Sequence, residues 1–350
     1  MVKIFRFFGI RPRKEEAAEI ASVPYDVVSR EEAQDLIKQN PKTFLQVIRS
    51  DAEFPRTSSY DDGVYFRARE NLDGMMAEEL FLRDSKPCMY LYRVKQGGAL
   101  YTGLVTCIET EEYVQNRIRR HEHTRYDKEA DRSRHIDVTN ANTGLVVLLY
   151  RDLGNLFSYI ESLIPSHEPD AMVKTPQGVV HELFVISDND GLARLEACFA
   201  DVDSLYIADG HHRAKSAVNV AELRRARGTI SPDSERFMAI LFAANRVKIH
   251  GYSRLITDLG SYSHDTFLDA LSAKFSVRKY GEIDDTVFCI PPLHEFSRPH
   301  HVIHMYFDGI WYELARPVAN SDDLVGSLDV TVLQDEVLGS MLGIQDPRSD

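Results

Sequence analysis

Cysteine is scarce: four residues among 350, far apart at Cys88, Cys107, Cys198 and Cys289, with no C-x-x-C pair. That excludes both a disulfide-stapled secreted domain and a paired-thiolate zinc site. No apolar run approaches the ~18 uninterrupted residues of a membrane helix. The opening, MVKIFRFFGIRPRK, interrupts its apolar stretch with charge too early for a secretory signal. Positive charge is in deficit as well. Against 54 Asp+Glu stand 41 Lys+Arg, a formal net charge of −13, so most of the surface should repel DNA and anionic lipid. The strings G-x-x-x-x-G-K-[ST], G-x-G-x-x-G and G-x-S-x-G are all missing, which removes the standard P-loop, dinucleotide and hydrolase machinery. What remains, 43% hydrophobic and 27% charged, is the composition of a globular chain expected to be soluble and cytoplasmic.

The length exceeds what one compact core usually holds. The reading is a core over 1–260 carrying an insertion, then a C-terminal α/β subdomain over 261–350. Helical and extended patterns alternate without a strict βαβ rhythm, so the expected fold class is mixed α/β with a mixed sheet. Ser29 stands three residues before Glu32, capping-box spacing that predicts a helix from Arg30. Val23–Val28 reads as extended, and Tyr60–Leu82 as one long helix. Gly97-Gly98 and Asp308-Gly309 carry hairpin turn chemistry. The chain stops straight after Pro347-Arg348-Ser349, an ending expected to cut into a C-terminal element.

The most informative stretch is Asp209-Gly210-His211-His212-Arg213. It joins an apolar strand ending at Ala208 to a helix whose Ala214, Ala217, Val218 and Ala221 follow helical spacing. Asp209 is a candidate N-cap, and Gly210 allows close backbone approach to a ligand. The first turn of a helix presents unpaired N–H groups and the positive dipole end. With His211, His212 and Arg213 added, this is a phosphate cradle, Arg213 being able to grip phosphate bidentately. The same residues would also serve as the polar first turn of an exposed helix. Adjacent histidines diverge and lack an i,i+4 partner, so zinc fits poorly.

A second polar segment runs Arg119-Arg120-His121-Glu122-His123-Thr124, with Asp131-Arg132 beyond it. Glu122 between two histidines is a candidate general base for deprotonating a hydroxyl, with Arg120 and Arg132 as anion partners. A solvated charged helix explains the same run. Weaker candidates are Tyr25 and Asp26 as pocket-lining residues and Ser253-Arg254 as a carboxylate contact.

Four strings together, VPYDVVS at 23–29, RHEHT at 120–124, Asp131-Arg132 and ADGHHR at 208–213, resemble a widespread prokaryotic family of unknown function, over nearly the whole chain. More remotely, the H-E pair followed by D-G-H-H-R resembles the free-serine kinases of the ParB/sulfiredoxin superfamily. The intervening stretch is far longer here than in those small kinases, which implies a large insertion in a ParB/sulfiredoxin-like core.

That resemblance implies a small-molecule phosphotransferase, a free L-serine kinase making O-phospho-L-serine. Glu122, Asp209 and His212 would be catalytic. Gly210, His211, Arg213, Arg120, His121 and Thr124 would hold the phosphate or nucleotide. Ser253, Arg254, Tyr25 and Asp26 would contact the acceptor. Mg²⁺ is the implied cofactor, with Asp209 its candidate ligand, and ATP, ADP or pyrophosphate the donor. Two other readings stay open: a nucleotide-binding regulator without turnover, which would not need Glu122, and a phosphohydrolase using water. Neither nucleic acid nor membrane is an expected partner.

Overall fold

The computed structural model describes residues 2–249, 251, 253–281, 299–319 and 323–345. Tyr252, His294 and the chain end at 347–350 lie outside the described residues. Two compact units are present, Met1–Val247 and Lys248–Asp350. The boundary read from sequence at 260/261 falls inside the second unit, because Leu259 and Tyr262 already pack into that unit's core.

Nine strands of the first unit form one mixed sheet. Across it run Ile118–Arg119, Leu205–Asp209, Val146–Tyr150, Arg236–Ala243, Ala99–Glu109, Met89–Gln96, Val180–Ile186 and Ala171–Lys174, with Ile4–Phe5 also paired to Ala99–Glu109. Two pairs are parallel: Leu205–Asp209 with Ile118–Arg119, and Val146–Tyr150 with Arg236–Ala243. The others are antiparallel. The fold is therefore mixed α/β, as the alternating patterns predict. Its central strands are apolar on both faces, with Leu148, Leu205 and Leu241 fully buried, as expected where helices cover a sheet.

Local chemistry explains most elements. Ser29 and Glu32 close the capping box at the head of Arg30–Gln39. Gly97-Gly98 and Asp308-Gly309 all take positive φ, the geometry of two-residue hairpin turns. Two expectations need correction. Val23–Val28 forms bends and a turn, exposed except at Tyr25 and Val28, since no strand partner reaches it. The long helix is shorter, Asp62–Ala77. Beyond it Glu79 turns through φ 56° and Phe81–Arg83 pairs with Ile10–Pro12. Asn189–Ala200 is a helix for which the sequence set no expectation; Asp188 caps it and Leu192, Leu195 and Phe199 are buried along it.

The second unit has a three-stranded antiparallel sheet, with Ile310–Pro317 between Ser276–Gly281 and His300–Phe307. The helix His264–Ser272 buries Phe267 and Leu271 in its core. Among the described residues of either unit, no helix is long and apolar enough to cross a membrane.

Candidate active site

The strand Leu205–Asp209 buries Leu205 and Ile207 and exposes its last two residues, Ala208 and Asp209. Its register against Val146–Tyr150 shifts between Ile207 and Asp209. Such an irregularity re-aims the side chains that follow it. Gly210 then adopts φ 94° and is itself the N-cap of the helix His211–Ala226. A Cβ on Gly210 would lie 3.3 Å from the Arg213 guanidinium carbon and 3.4 Å from Val146 Cα, close but tolerable, so it is the positive φ that favours glycine here. Asp209 is therefore not the N-cap. Its carboxylate pairs instead with Arg213, because the left-handed turn at Gly210 intervenes.

The helix buries Ala214, Ala217, Val218 and Ala221, small residues that let its backbone approach the sheet. Its 16 residues direct a full positive dipole end, with free N–H groups, at the Asp209-Gly210 turn.

The three donors read as equivalent in the sequence differ in position. His211 turns inward and is only 4% exposed. Its Nδ1 lies 3.5 Å from Glu122 Oε2, and its ring meets the His121 ring edge to face at 4.4 Å. Burial, then the neighbouring His121, push the His211 imidazole below its ordinary value, against the opposing pull of Glu122 and Asp209. It stays neutral at pH 7, and its Nε2 is buried without a partner. His212 is half-buried and its Nε2 accepts the backbone N–H of Arg125 at 3.0 Å. Arg213 donates to the Leu145 carbonyl and to Asp209.

The segment carrying Glu122 thus folds over the helix start despite its distance in sequence. Glu129 holds it there. Its carboxylate accepts from Thr124 Oγ1 and, at 3.2 Å, from Asn219 Nδ2, while its backbone carbonyl accepts from Ser216 Oγ at 3.1 Å. Thr124 thus spends its hydroxyl proton within its own segment. The Arg120 guanidinium sits over the Tyr113 ring, 4.8 Å from its centroid.

Tyr25 and Asp26 do border cavities. One of about 380 Å³ is lined by Tyr25, Arg132 and Arg213, another of about 480 Å³ by Tyr25, Asp26, Arg132 and His212. Asp131 accepts the Tyr65 hydroxyl at 2.8 Å and pairs with Arg132 at 2.7 Å. Ser253 and Arg254 belong to the second unit. Glu129, Ser216, Asn219 and Tyr65 escaped sequence reasoning. Only Glu129, beside the charged run, carried any local signal.

The described residues hold no cluster of three or more His, Cys, Asp or Glu able to hold a metal ion. Cys88, Cys107 and Cys198 are free thiols. The chain is thus a mixed α/β protein with histidines and a carboxylate gathered at a helix mouth. The family described as "Protein of unknown function (DUF1015)" matches residues 4–331, and the chain belongs to it. Neither a curated protein nor a solved structure matches it.

Proposed function

We propose that the chain is a small-molecule phosphotransferase, a free L-serine kinase that transfers a phosphoryl group to the serine hydroxyl. One observation carries the reading: Glu122 lies 3.5 Å from His211 at the mouth of a long helix opened by Gly210. Phosphoryl transfer asks a protein for positioning and charge neutralisation more than for covalent help. The helix N–H groups and Arg213 supply positive potential for the transferring group, and the neutral His212 a hydrogen-bond donor. Glu122 takes the proton of the attacking hydroxyl. A bond forms from the serine oxygen to phosphorus, and the bond from phosphorus to the leaving phosphate oxygen breaks.

With its imidazole held below its ordinary value, His211 does not face Glu122 with a full positive charge, which is compatible with the role of base proposed for that carboxylate. Mg²⁺ usually takes one or two carboxylates plus substrate phosphates. Asp209, exposed at the helix mouth, fits that need, although it must share its charge with Arg213. Bound there, the ion would neutralise phosphate charge.

The test is incubation with L-serine and ATP, ADP or pyrophosphate, read by phosphorus NMR. O-phosphoserine is the expected product. Release of inorganic phosphate alone would favour the hydrolase, and no turnover with any donor would leave the regulator.

A further inference from the structure

Two cavities open beside the same helix start, and their linings differ in kind. The first, about 380 Å³, is walled mainly by apolar side chains, among them Phe44, Ile48, Val146, Phe237 and Met238. Its charged lining groups are Arg132 and Arg213, with no carboxylate. The second, about 480 Å³, carries Asp26, Asp51 and Asp131 together with Arg49, Arg125 and Lys128, and reaches His212. Tyr25, Ile48, Arg132 and His135 line both, and in this shared wall the Arg132 guanidinium stacks on Tyr25, 4.5 Å from the ring centroid.

Building on the phosphotransferase reading, we infer that the apolar cavity is the subsite for the nucleoside half of the phosphate donor, which is therefore a nucleotide and not pyrophosphate. An apolar hollow of this size with a few placed polar groups is the common form of a small-ligand site. Ser22, Asn142 and Thr143 supply hydroxyls and an amide for the edge of a base. Pyrophosphate has no apolar surface and would gain nothing from these walls, whereas a planar base buries both faces.

The phosphate end follows from Arg213. Its guanidinium is tied to the Leu145 carbonyl on the cavity wall and to Asp209 at the helix start, so it stands where the cavity meets the cradle. A nucleoside in the cavity would direct its phosphates past Arg213 toward the helix N–H groups.

The acceptor does not suit the same hollow. An amino acid's ammonium would find no carboxylate there, and burying it unpaired is costly. The second cavity serves it better. Asp51 and Asp131 are engaged by Arg49 and Arg132, while Asp26 and Lys128 keep their charges outside any ion pair among the described residues.

The experiment is calorimetric titration of the full chain with ADP, ATP and inorganic pyrophosphate at fixed Mg²⁺. It is repeated on Ser22→Trp and Val23→Trp, both exposed positions lining the cavity, with thermal melting to verify the fold. The expected result is a nucleotide bound at least tenfold more tightly than pyrophosphate. Each tryptophan should weaken the nucleotide about tenfold and leave pyrophosphate within about twofold. Equal binding of nucleotide and pyrophosphate would overturn the nucleoside subsite while leaving a pyrophosphate-dependent kinase standing. A nucleotide preference that both tryptophans leave untouched, or a parallel loss of pyrophosphate, would overturn its placement. Failure to phosphorylate serine, with nucleotide binding still sensitive to both substitutions, would remove the kinase reading alone. Binding of neither donor would remove both.

Discussion

The backbone N–H of Arg125 donates to Nε2 of His212 at 3.0 Å, across 87 positions of sequence. An amide can only donate, so Nε2 must be the bare nitrogen and the neutral ring carries its proton on Nδ1. That proton is the one His212 has to donate. The same bond pulls the start of the Tyr126–Thr139 helix onto the mouth of His211–Ala226, bringing Glu122 to His211.

Glu122→Gln keeps shape and hydrogen bonding but cannot take a proton. Turnover of serine phosphorylation should fall roughly 10²–10⁴-fold, with donor affinity nearly unchanged. Steady-state kinetics paired with calorimetry on the same variant decides it. Wild-type turnover would remove Glu122 as the base.

Arg213→Ala should weaken donor binding by about 1.5–3 kcal/mol, the range of charge-assisted hydrogen bonds. It also leaves Asp209 without its guanidinium partner. Titration of the folded variant with nucleotide measures the loss, and undiminished affinity would argue against a phosphate contact.

Gly210→Ala forces a Cβ into a left-handed turn already bounded by Arg213 and Val146. The cost should be about 1–3 kcal/mol of stability. Thermal denaturation would register it as a lower melting temperature, and an unshifted curve would mean that the turn relaxes freely.

Glu129→Ala removes both side-chain contacts, to Thr124 and to Asn219, while Glu129→Gln keeps a carbonyl oxygen to accept from Asn219 and an amide that can donate to the Thr124 hydroxyl. The alanine variant should show faster amide hydrogen exchange through 120–129 and reduced turnover. The glutamine variant should recover most of each. Equal behaviour of the two would mean that charge, not tethering, is what matters.

His135 provides a pH test. It is buried, donates from Nε2 to the Val47 carbonyl at 3.0 Å, and is pushed by burial from 6.5 to about 4. The folded state holds it neutral while the unfolded chain protonates it below 6.5. Its contribution is therefore complete above 6.5 and is lost as pH falls toward 4, by about 3 kcal/mol in all. Urea denaturation at pH 7 and pH 5 should show a smaller drop in His135→Gln than in the parent. Identical drops would assign acid sensitivity to other groups.

Short-range chemistry was legible in the residues themselves. Ser29 and Glu32 stand at capping-box spacing, Gly97-Gly98 and Asp308-Gly309 are hairpin turns, and Ala208–Arg213 joins a strand to a helix. These depend on φ preferences and hydrogen bonds within a few residues, so spacing alone specifies them. The Asn189–Ala200 helix escaped because its apolar positions sit between two strong strand patterns.

The motifs themselves, H-E and D-G-H-H-R, also stood in the sequence, and with them the residue types of the site. Their division of labour was set by tertiary structure. Only the packed chain turns His211 inward to Glu122, leaves His212 at the mouth, ties Arg213 to Leu145 and Asp209, and enlists Glu129 to hold the segment in place. Which side of the helix start is apolar and which is charged is decided by distant elements, Val23–Asp26 and Phe237-Met238 among them, meeting at one end of the sheet. Periodicity reports which face of an element is buried. It does not report which other element covers that face, because pairing across such separations follows from the order of strands in the sheet.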